Sequence, residues 1–129
     1  MADNKKRRPL VLIVDDLPAM RRVVSLEINA IGYDSEQAAN GFEALAKIST
    51  KTYDAIILDC LMPGIDGLQC SARIRELESL SGMPRVPIIG FSSDDIREAC
   101  LAADMDDHLP KSYNLKQLRT TLNKWLVRT

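Results

Sequence analysis

The chain has 129 residues and a formal net charge of -1. A chain of this length forms one domain that can bury a single core without disulfides. The near-neutral charge argues against nucleic-acid binding, no apolar run approaches membrane-spanning length, and the N-terminus lacks the apolar region of a signal peptide. We therefore expect a soluble, cytoplasmic protein that contacts neither nucleic acid nor membrane directly.

The first nine residues are polar and include the basic run Lys5-Lys6-Arg7-Arg8. Such a run either binds phosphate or nucleic acid, or is a solvated tail. The solvated tail is favoured. The sequence thus predicts a flexible basic tail over residues 1–9 and one domain over residues 10–129.

The first strand is predicted from the apolar run Val11-Leu12-Ile13-Val14, which ends at Asp15-Asp16. A four-residue apolar run bounded by polar residues is typical of a strand buried on both faces of a parallel sheet. Pro18 then suits the first turn of a helix, with Asp16 as a candidate cap, and Gly32 ends that helix. The apolar positions of this helix recur at helical spacing: Met20, Val23, Val24, Ile28 and Ile31.

Two further strand and helix pairs follow. Residues 33–38 are more polar, which suits an edge strand, whereas Ala55-Ile56-Ile57-Leu58 is a second apolar run that ends at Asp59. The helix over residues 41–50 is predicted to bury Phe42, Leu45 and Ile48. After a turn-rich loop, in which Asp66 is a candidate helix cap, a third helix is predicted to bury Leu68, Ile74, Leu77 and Leu80.

The last two units complete the alternation. The run Ile88-Ile89-Gly90-Phe91 ends in Ser92, and a short helix is predicted over residues 94–103. The fifth strand spans residues 107–110, and the last helix starts near residue 114 with one stripe formed by Leu115, Leu118, Leu122, Trp125 and Leu126. Strand and helix alternate five times, which predicts a doubly wound α/β domain with a five-stranded parallel sheet and five helices.

Three aspartates end two of the buried strands: Asp15 and Asp16 follow the first, and Asp59 follows the third. The ligand crevice of an open parallel sheet lies at the carboxyl ends of its strands, where the strand order reverses. If the two strands are neighbours there, the like charges repel, and the pKa of at least one carboxyl is raised unless a cation lies among them. The pattern predicts a hard, oxygen-binding cation, with Mg²⁺ favoured.

Polar side chains also follow the fourth and fifth strands. Ser92 brings a hydroxyl and Lys111 an ammonium to the same edge of the sheet. Acids that hold a cation and supply a nucleophile, together with groups that bind phosphoryl oxygens, form a site for a phosphoryl group and its metal. The alternatives are that the acids are helix caps or solvated strand ends, that Ser92 only caps the next helix, and that Lys111 is an exposed edge lysine.

Four segments, in this order, carry a family resemblance: residues 11–16 with the acid pair, residues 57–67 with Asp59, residues 88–93 with Ser92, and residues 109–111 with Lys111. They resemble the strands and loops of the receiver domain of two-component response regulators. The resemblance extends from Leu10 to about Val127. It implies the flavodoxin-like (CheY-like) fold with strand order 2-1-3-4-5.

The resemblance implies a role for each site residue. Asp59 would accept a phosphoryl group from a phosphohistidine donor. Lys111 would pair with Asp59 before phosphorylation and with the phosphoryl oxygens afterwards, and Ser92 would turn inward to bind the phosphoryl group. Such a domain is a switch and not an enzyme, apart from its own phosphorylation and slow dephosphorylation. The implied Mg²⁺ ligands are Asp16 and Asp59 directly, Leu61 through its backbone carbonyl, and Asp15 mostly through bound water.

Several positions differ from the usual family pattern. Ser112 follows the site lysine where the family normally has proline, and Asp104 stands where glycine is common. Leu61 and Asp94 hold positions that tune acyl-phosphate lifetime in the family. His108 replaces the switch aromatic, and we interpret it as a partly exposed ring whose exposure changes with phosphorylation, in preference to a metal ligand, a phosphoacceptor or a pH switch.

The resemblance also implies partners. The phosphoryl donor would be a histidine kinase or a histidine phosphotransfer protein. A downstream partner would bind the face formed by the fourth helix, fifth strand and fifth helix. The domain itself would be a monomer or a weak homodimer. Residues 105–109 and the Trp125-Leu126 ending look like those of hybrid histidine kinase receivers. Both a stand-alone regulator and a part of a larger protein stay open.

Two other functions stay open beside the switch. An aspartyl-phosphate-forming phosphatase would need a second aspartate two residues after Asp59, where the chain has Leu61. A pseudo-receiver, which binds partners without being phosphorylated, would normally have lost an acid or the lysine.

The remaining candidates are interpreted as packing residues. Cys60, Cys70 and Cys100 are odd in number and have neither metal-ligand nor redox spacing, which is typical of small apolar residues in a reducing, intracellular protein. Trp125 is assigned to helix packing rather than to a partner interface.

Overall fold

One parallel sheet of five strands organises the protein, which a computed structural model describes over residues 8–93 and 95–126. Neighbouring strands pair in the order second, first, third, fourth, fifth, so the predicted doubly wound, flavodoxin-like architecture is confirmed. The predicted tail falls outside the described residues up to position 7. The strands are β1 (Leu10–Val14), β2 (Asp34–Ala38), β3 (Ala55–Asp59), β4 (Ile88–Ser92) and β5 (Asp107–Pro110).

Helices alternate with the strands and cover both faces of the sheet. Along the described ranges they are α1 (Pro18–Ala30), α2 (Gly41–Thr50), α3 (Gly67–Ser81), α4 (Arg97–Ala102) and α5 (Leu115–Leu126). None of them is long and apolar enough to cross a membrane. Helices α1 and α5 pack on one face, and α2, α3 and α4 pack on the other.

The helices on both faces of the sheet explain why the strands have apolar runs. Successive side chains of β1 alternate between the two layers: Val11 and Ile13 pack with α1 and α5, whereas Leu12 and Val14 pack with the other helices. Because both faces of β1, β3 and β4 need apolar residues, the polar side chains of these three strands are confined to their ends. This confinement brings the polar side chains after β1, β3, β4 and β5 to one edge of the sheet.

The buried face of α2 differs from the prediction. Phe42 is 61% exposed, and the buried face consists of Gly41, Ala44 and Ile48. Gly41 sets this orientation, because a Cβ at that position would lie 2.5 Å from Ile65 Cγ2. Neighbouring helix positions point about 100° apart, so the ring of Phe42 turns to solvent.

Three other apolar residues of the predicted helix patterns are exposed. The exposed fractions are 81% for Leu80 of α3, which the sequence predicts to be buried, 49% for Val23 of α1 and 41% for Leu115 of α5. In the last turn of α3 the buried position belongs to Glu78, whose carboxylate accepts a hydrogen bond from the backbone N–H of Val86 at 2.7 Å. In α1 the neighbouring Val24 takes the buried place of the helix face.

The two predicted helix caps have different outcomes. Helix α1 begins at Pro18 with Leu17 as its N-cap and without a side-chain cap, so the cap assigned to Asp16 is wrong. Proline at the first helical position lacks one of the N–H groups that have no partner within a helix, and its fixed φ suits a helix start. Asp66 does cap α3, since its carboxylate accepts a hydrogen bond from the N–H of Gln69 at 2.8 Å.

Helix α4 is shorter than predicted, because it is helical only over Arg97–Ala102. Soon after it, Asp104 has a φ of 68°, in the left-handed region that favours glycine. Aspartate is among the residues that tolerate this region best, which explains how it can stand where the family commonly has glycine. Its carboxylate pairs with Arg85 at 3.0 Å.

A buried ionic cluster lies at the amino end of β4, on the side of the sheet away from the polar strand ends. The guanidinium of Arg75 contacts Glu78 at 3.0 Å and Asp106 at 2.6 Å. Asp106 also accepts a hydrogen bond from the N–H of Ile88 at 2.8 Å. We call Arg75, Glu78 and Asp106 the Arg75 cluster. It joins α3 to the start of β4 and to the segment before β5.

Candidate metal and phosphoryl site

The three predicted acids meet at the carboxyl ends of β1 and β3. These two strands are neighbours in the sheet, so residues that follow them come together. One carboxylate oxygen from each of Asp15, Asp16 and Asp59 lies within 4.8 Å of the other two. Asp15 and Asp59 are buried, and Asp16 is half-buried. The fold therefore confirms the predicted convergence of the three acids.

The donor set fits a hard divalent cation. Asp15 Oδ1 accepts a hydrogen bond from the N–H of Leu17 at 2.9 Å, whereas its Oδ2 is buried and accepts none. Asp59 Oδ1 accepts a hydrogen bond from the N–H of Leu61 at 3.1 Å. A buried carboxylate oxygen that accepts no hydrogen bond, with an ion pair to Lys111 at 3.4 Å and two further carboxylates beside it, is an environment that a cation with oxygen ligands satisfies.

Lys111 brings a positive charge to the same site. Its Nζ lies 3.2 Å from Asp59 Oδ2 and 3.4 Å from Asp15 Oδ2. The backbone fixes this position, because the N–H of Lys111 donates to the carbonyl of Ser92 at 2.8 Å. The following peptide bond to Ser112 is trans, like the others in the described ranges. Serine in place of the usual proline thus still allows the lysine to reach the acids.

Burial and neighbouring charges shift the pKa values of Asp59 and Lys111. The pKa of Asp59 is raised from 3.8 to about 6, because burial and the charge of Asp15 raise it more than the Leu61 N–H and Lys111 lower it. Burial alone would lower the pKa of Lys111, but its contacts with Asp59 and Asp15 outweigh burial and raise it. At least one carboxyl with a raised pKa is therefore present, as the sequence predicts.

Ser92 occupies the last position of β4 and is buried. Strand β4 lies beside β3, with Phe91 in register with Asp59, so Ser92 stands at the same edge of the sheet as the acids. Its role as a phosphoryl ligand stays a prediction. The same is true of the Leu61 carbonyl as a metal ligand.

His108 lies on β5, in register with Gly90. Its ring is half-buried, and its Nε2 is buried without a hydrogen-bond partner. Burial lowers the pKa of His108, and the charge of Arg97 lowers it further, against smaller effects of Asp95 and Asp107. The ring is beside an open cavity of about 370 Å³ lined by Ser93, Asp95, Arg97, His108 and Pro110.

Two supporting residues escape sequence reasoning. Gly67 packs directly under Asp59, because a Cβ there would lie 2.2 Å from the backbone oxygen of Asp59. Its place after a cap residue was the only available signal, and that signal indicates a helix start rather than a close approach. Asp107 is buried and accepts a hydrogen bond from Trp125 Nε1 at 2.9 Å. This bond supports the assignment of Trp125 to helix packing.

A model of the response regulator receiver domain matches residues 11–123 of the chain. The chain belongs to the response regulator receiver family. The hybrid signal transduction protein dokA of Dictyostelium discoideum is 33% identical to it over 116 residues, which are 90% of the chain and 7% of dokA. The receiver domain thus corresponds to a small part of that relative.

Two solved structures with a similar fold were determined with magnesium. The receiver domain of a sensor histidine kinase from Pseudomonas aeruginosa, with a magnesium ion coordinated in its active site cleft, is 32% identical with a TM-score of 0.82, and the match covers 92% of this chain and 97% of that one. The response regulator TrrA of Thermotoga maritima, in complex with Mg(2+)-BeF, is also 32% identical with a TM-score of 0.80, over 92% and 99% of the chains.

Proposed function

We propose that this receiver domain is a phosphorylation-dependent switch that accepts a phosphoryl group on Asp59. The observation that carries the proposal is the environment of this carboxylate. Asp59 is buried, lies within 4.8 Å of two further aspartates, and has the ammonium of Lys111 at 3.2 Å. A carboxylate is a competent nucleophile for phosphoryl transfer when the charge on the transferred group is neutralised by its surroundings.

The transfer forms one bond and breaks another. A carboxylate oxygen of Asp59 bonds to phosphorus while the bond from phosphorus to the donor's imidazole nitrogen breaks, and that nitrogen regains a proton from solvent. Lys111 then pairs with a phosphoryl oxygen in place of the Asp59 carboxylate, and the Ser92 hydroxyl hydrogen-bonds another. Asp15, Asp16, Asp59 and the Leu61 carbonyl would hold Mg²⁺, which supplies charge neutralisation when bound.

The proposed donor is a histidine kinase or a histidine phosphotransfer protein in the cytoplasm. The similarity to hybrid signalling proteins and sensor kinase receivers supports this class of donor. We propose that the domain turns over no other substrate. Leu61, which is exposed two residues after Asp59, offers no carboxylate for the general acid that an aspartyl-phosphate phosphatase would need.

A direct test uses acetyl phosphate, Mg²⁺ and intact-protein mass spectrometry. We expect an addition of about 80 Da, one phosphoryl group, that disappears when the metal is chelated before the donor is added. Continuous release of phosphate without a stable adduct would favour the phosphatase. An unchanged mass under conditions that label a known receiver would favour the pseudo-receiver and overturn the proposal.

Metal binding should be strongly pH-dependent. The raised pKa of Asp59, about 6, means that the folded protein without metal loses stability as pH rises from about 4 to 6, because the ionised carboxylate is disfavoured in the fold. A cation binds the ionised form, so Mg²⁺ should stabilise more at pH 7.5 than at pH 5. At about ten times its Kd, we expect roughly 1.4 kcal/mol, which is about 5 °C in Tm.

Variants of the acids sharpen that measurement. Asp16→Ala should weaken Mg²⁺ binding more than Asp15→Ala, since Asp16 is proposed to contact the ion directly and Asp15 mainly through water. Glu76→Ala is the matched control, because Glu76 is an exposed acid of α3 outside the acid cluster. A Tm that does not respond to Mg²⁺ at pH 7.5 in the wild-type protein would count against the metal site.

The signal is proposed to leave through α4, β5 and α5. Ser92 precedes the segment that enters α4, and Lys111 precedes the segment that enters α5, so a phosphoryl group that draws both inward acts on this face. The ring of His108 lies on the strand between them. A small polar ring leaves a half-buried position more easily than tyrosine, so we expect both of its rotamers before phosphorylation.

NMR shifts with and without beryllofluoride, a mimic of the phosphoryl group, test this route. Amide shifts should change within residues 92–113, apart from those next to Asp106, together with the His108 ring signals, while Arg75, Glu78 and their neighbours on α3 stay unchanged. Shifts confined to the immediate surroundings of Asp59 would sink the proposed route.

A further inference from the structure

Two cysteines that are distant in sequence meet beside the phosphoryl site. Cys60 directly follows Asp59 at the end of β3, and Cys100 lies on α4. Their Sγ atoms are 3.4 Å apart, and both side chains are fully buried. This contact links the strand that carries the phosphoacceptor to the helix proposed to transmit the signal.

The missing side chain of Gly90 allows this contact. A Cβ on Gly90 would lie 2.7 Å from Cys100 Sγ, closer than a carbon and a sulfur can pack, and 3.2 Å from Cys60 Sγ, which is a tight contact. The space above β4 is therefore filled by the two sulfur atoms and by Met105, whose Sδ would be 2.8 Å from that Cβ. The thiol of Cys70, the third buried cysteine, donates a hydrogen bond to the carbonyl of Gly41.

We propose that Cys60 and Cys100 are a redox-active thiol pair, converted by hydrogen peroxide to a disulfide that clamps α4 onto β3. A disulfide bond is about 2.05 Å long, so the two sulfur atoms must approach by roughly 1.4 Å. A shift of one short helix can supply this movement. The clamp's effect on signalling rests on the proposed function, whereas the formation of the disulfide does not.

The reaction balances in two steps. Cys100 Sγ attacks one oxygen of the peroxide, the O–O bond breaks, and the products are a sulfenic acid on Cys100 and one water. Cys60 Sγ then attacks the sulfur of the sulfenic acid, forms the S–S bond and releases a second water. Two thiols lose two electrons in total, and one peroxide becomes two waters.

Local opening of α4 controls access to the pair. Burial raises the pKa of the Cys100 thiol, so the closed state resists oxidation, although the nearby charge of Arg97 acts in the opposite direction. Helix α4 has six residues, and its N-cap, Ile96, makes no side-chain cap hydrogen bond. A short, uncapped helix opens at low free-energy cost, which exposes Cys100 first.

Counting the free thiols of peroxide-treated, then denatured and alkylated, protein tests the pair. The chain has three cysteines, so the reduced protein takes three alkyl groups, and we expect the oxidised protein to take one, on Cys70. Cys100→Ala should keep both remaining thiols, whereas Cys60→Ala should lose the Cys100 thiol to a sulfenic acid without forming a disulfide. Cys70→Ala, the matched control, should fall from two thiols to none, with a peptide that links Cys60 to Cys100.

A folded wild-type protein that keeps all three thiols after treatment would overturn the pair, as would a disulfide that includes Cys70. The clamp is tested separately with beryllofluoride: amide shifts over residues 95–105 should be smaller in the disulfide form than in the reduced form. Equal shifts in both forms would overturn the clamp. Absence of any response to beryllofluoride or acetyl phosphate in the reduced wild type would refute the proposed function and leave the disulfide result intact.

Discussion

Asp59→Asn is expected to lower phosphorylation by acetyl phosphate at least about a hundredfold, because the amide keeps the shape of the side chain but removes the nucleophile. The fold should be retained. In the wild-type protein the buried carboxylate has a pKa raised to about 6, so its ionisation costs stability as pH rises from about 4 to 6. The neutral amide removes this penalty, and Lys111 keeps Asp15 as a partner.

Two measurements check this expectation. The about 80 Da adduct should be missing from Asp59→Asn but present at the wild-type rate in Asp66→Asn, a control in the same loop whose amide can still cap α3. In the absence of metal, the unfolding free energy of Asp59→Asn should vary less than that of the wild type between pH 4 and about 6. Wild-type labelling of Asp59→Asn would move the phosphoacceptor to Asp15 or Asp16.

Gly67→Ala is expected to lower the free energy of unfolding by about 3 kcal/mol and to slow phosphorylation. The new Cβ would lie 2.2 Å from the Asp59 carbonyl oxygen and 2.6 Å from Cys60 Cα. Both are backbone atoms and cannot turn away as a flexible side chain would. The end of β3 must therefore shift, and it carries the Asp59 carboxylate away from Lys111 and the other acids.

Gly82→Ala is the matched control. Gly82 follows α3 with a φ of 68° and has no atom within 4 Å of a built Cβ, so alanine there adds backbone strain of about 1 kcal/mol without a clash. Chemical denaturation and acetyl phosphate labelling of both variants separate the two effects. If Gly67→Ala is no less stable than Gly82→Ala and labels as fast as the wild type, close packing under Asp59 does not position the site.

The fold and most of the site follow from the sequence because short apolar runs and their polar ends report directly on a parallel sheet. Asp15, Asp59 and Lys111 stand where runs end, so strand alternation alone places them at one edge. Helix faces are harder to predict. Phe42 fits the helical period, but the close approach at Gly41 rotates the buried face of α2, and no local pattern contains that contact.

Pairings between distant side chains were also beyond sequence reasoning. Cys60 and Cys100 have no characteristic spacing and meet only because β4, with Gly90, runs beside β3 under α4. Glu78 is charged and lies next to better core candidates in its helix, yet it is buried because Arg75 and the N–H of Val86 satisfy its carboxylate.

The Arg75 cluster gives the sheet two ends of different stiffness. At the amino end of β4, charged groups and backbone N–H groups hold one another at fixed distances inside the protein, and removing Arg75 would take from the buried Glu78 carboxylate its ion-pair partner. The opposite edge has a short helix and a half-buried histidine ring beside a cavity. We therefore expect the amino end of β4 to stay fixed. Chemistry at Asp59 should move the loops at the carboxyl ends of the strands and leave the Arg75 cluster in place.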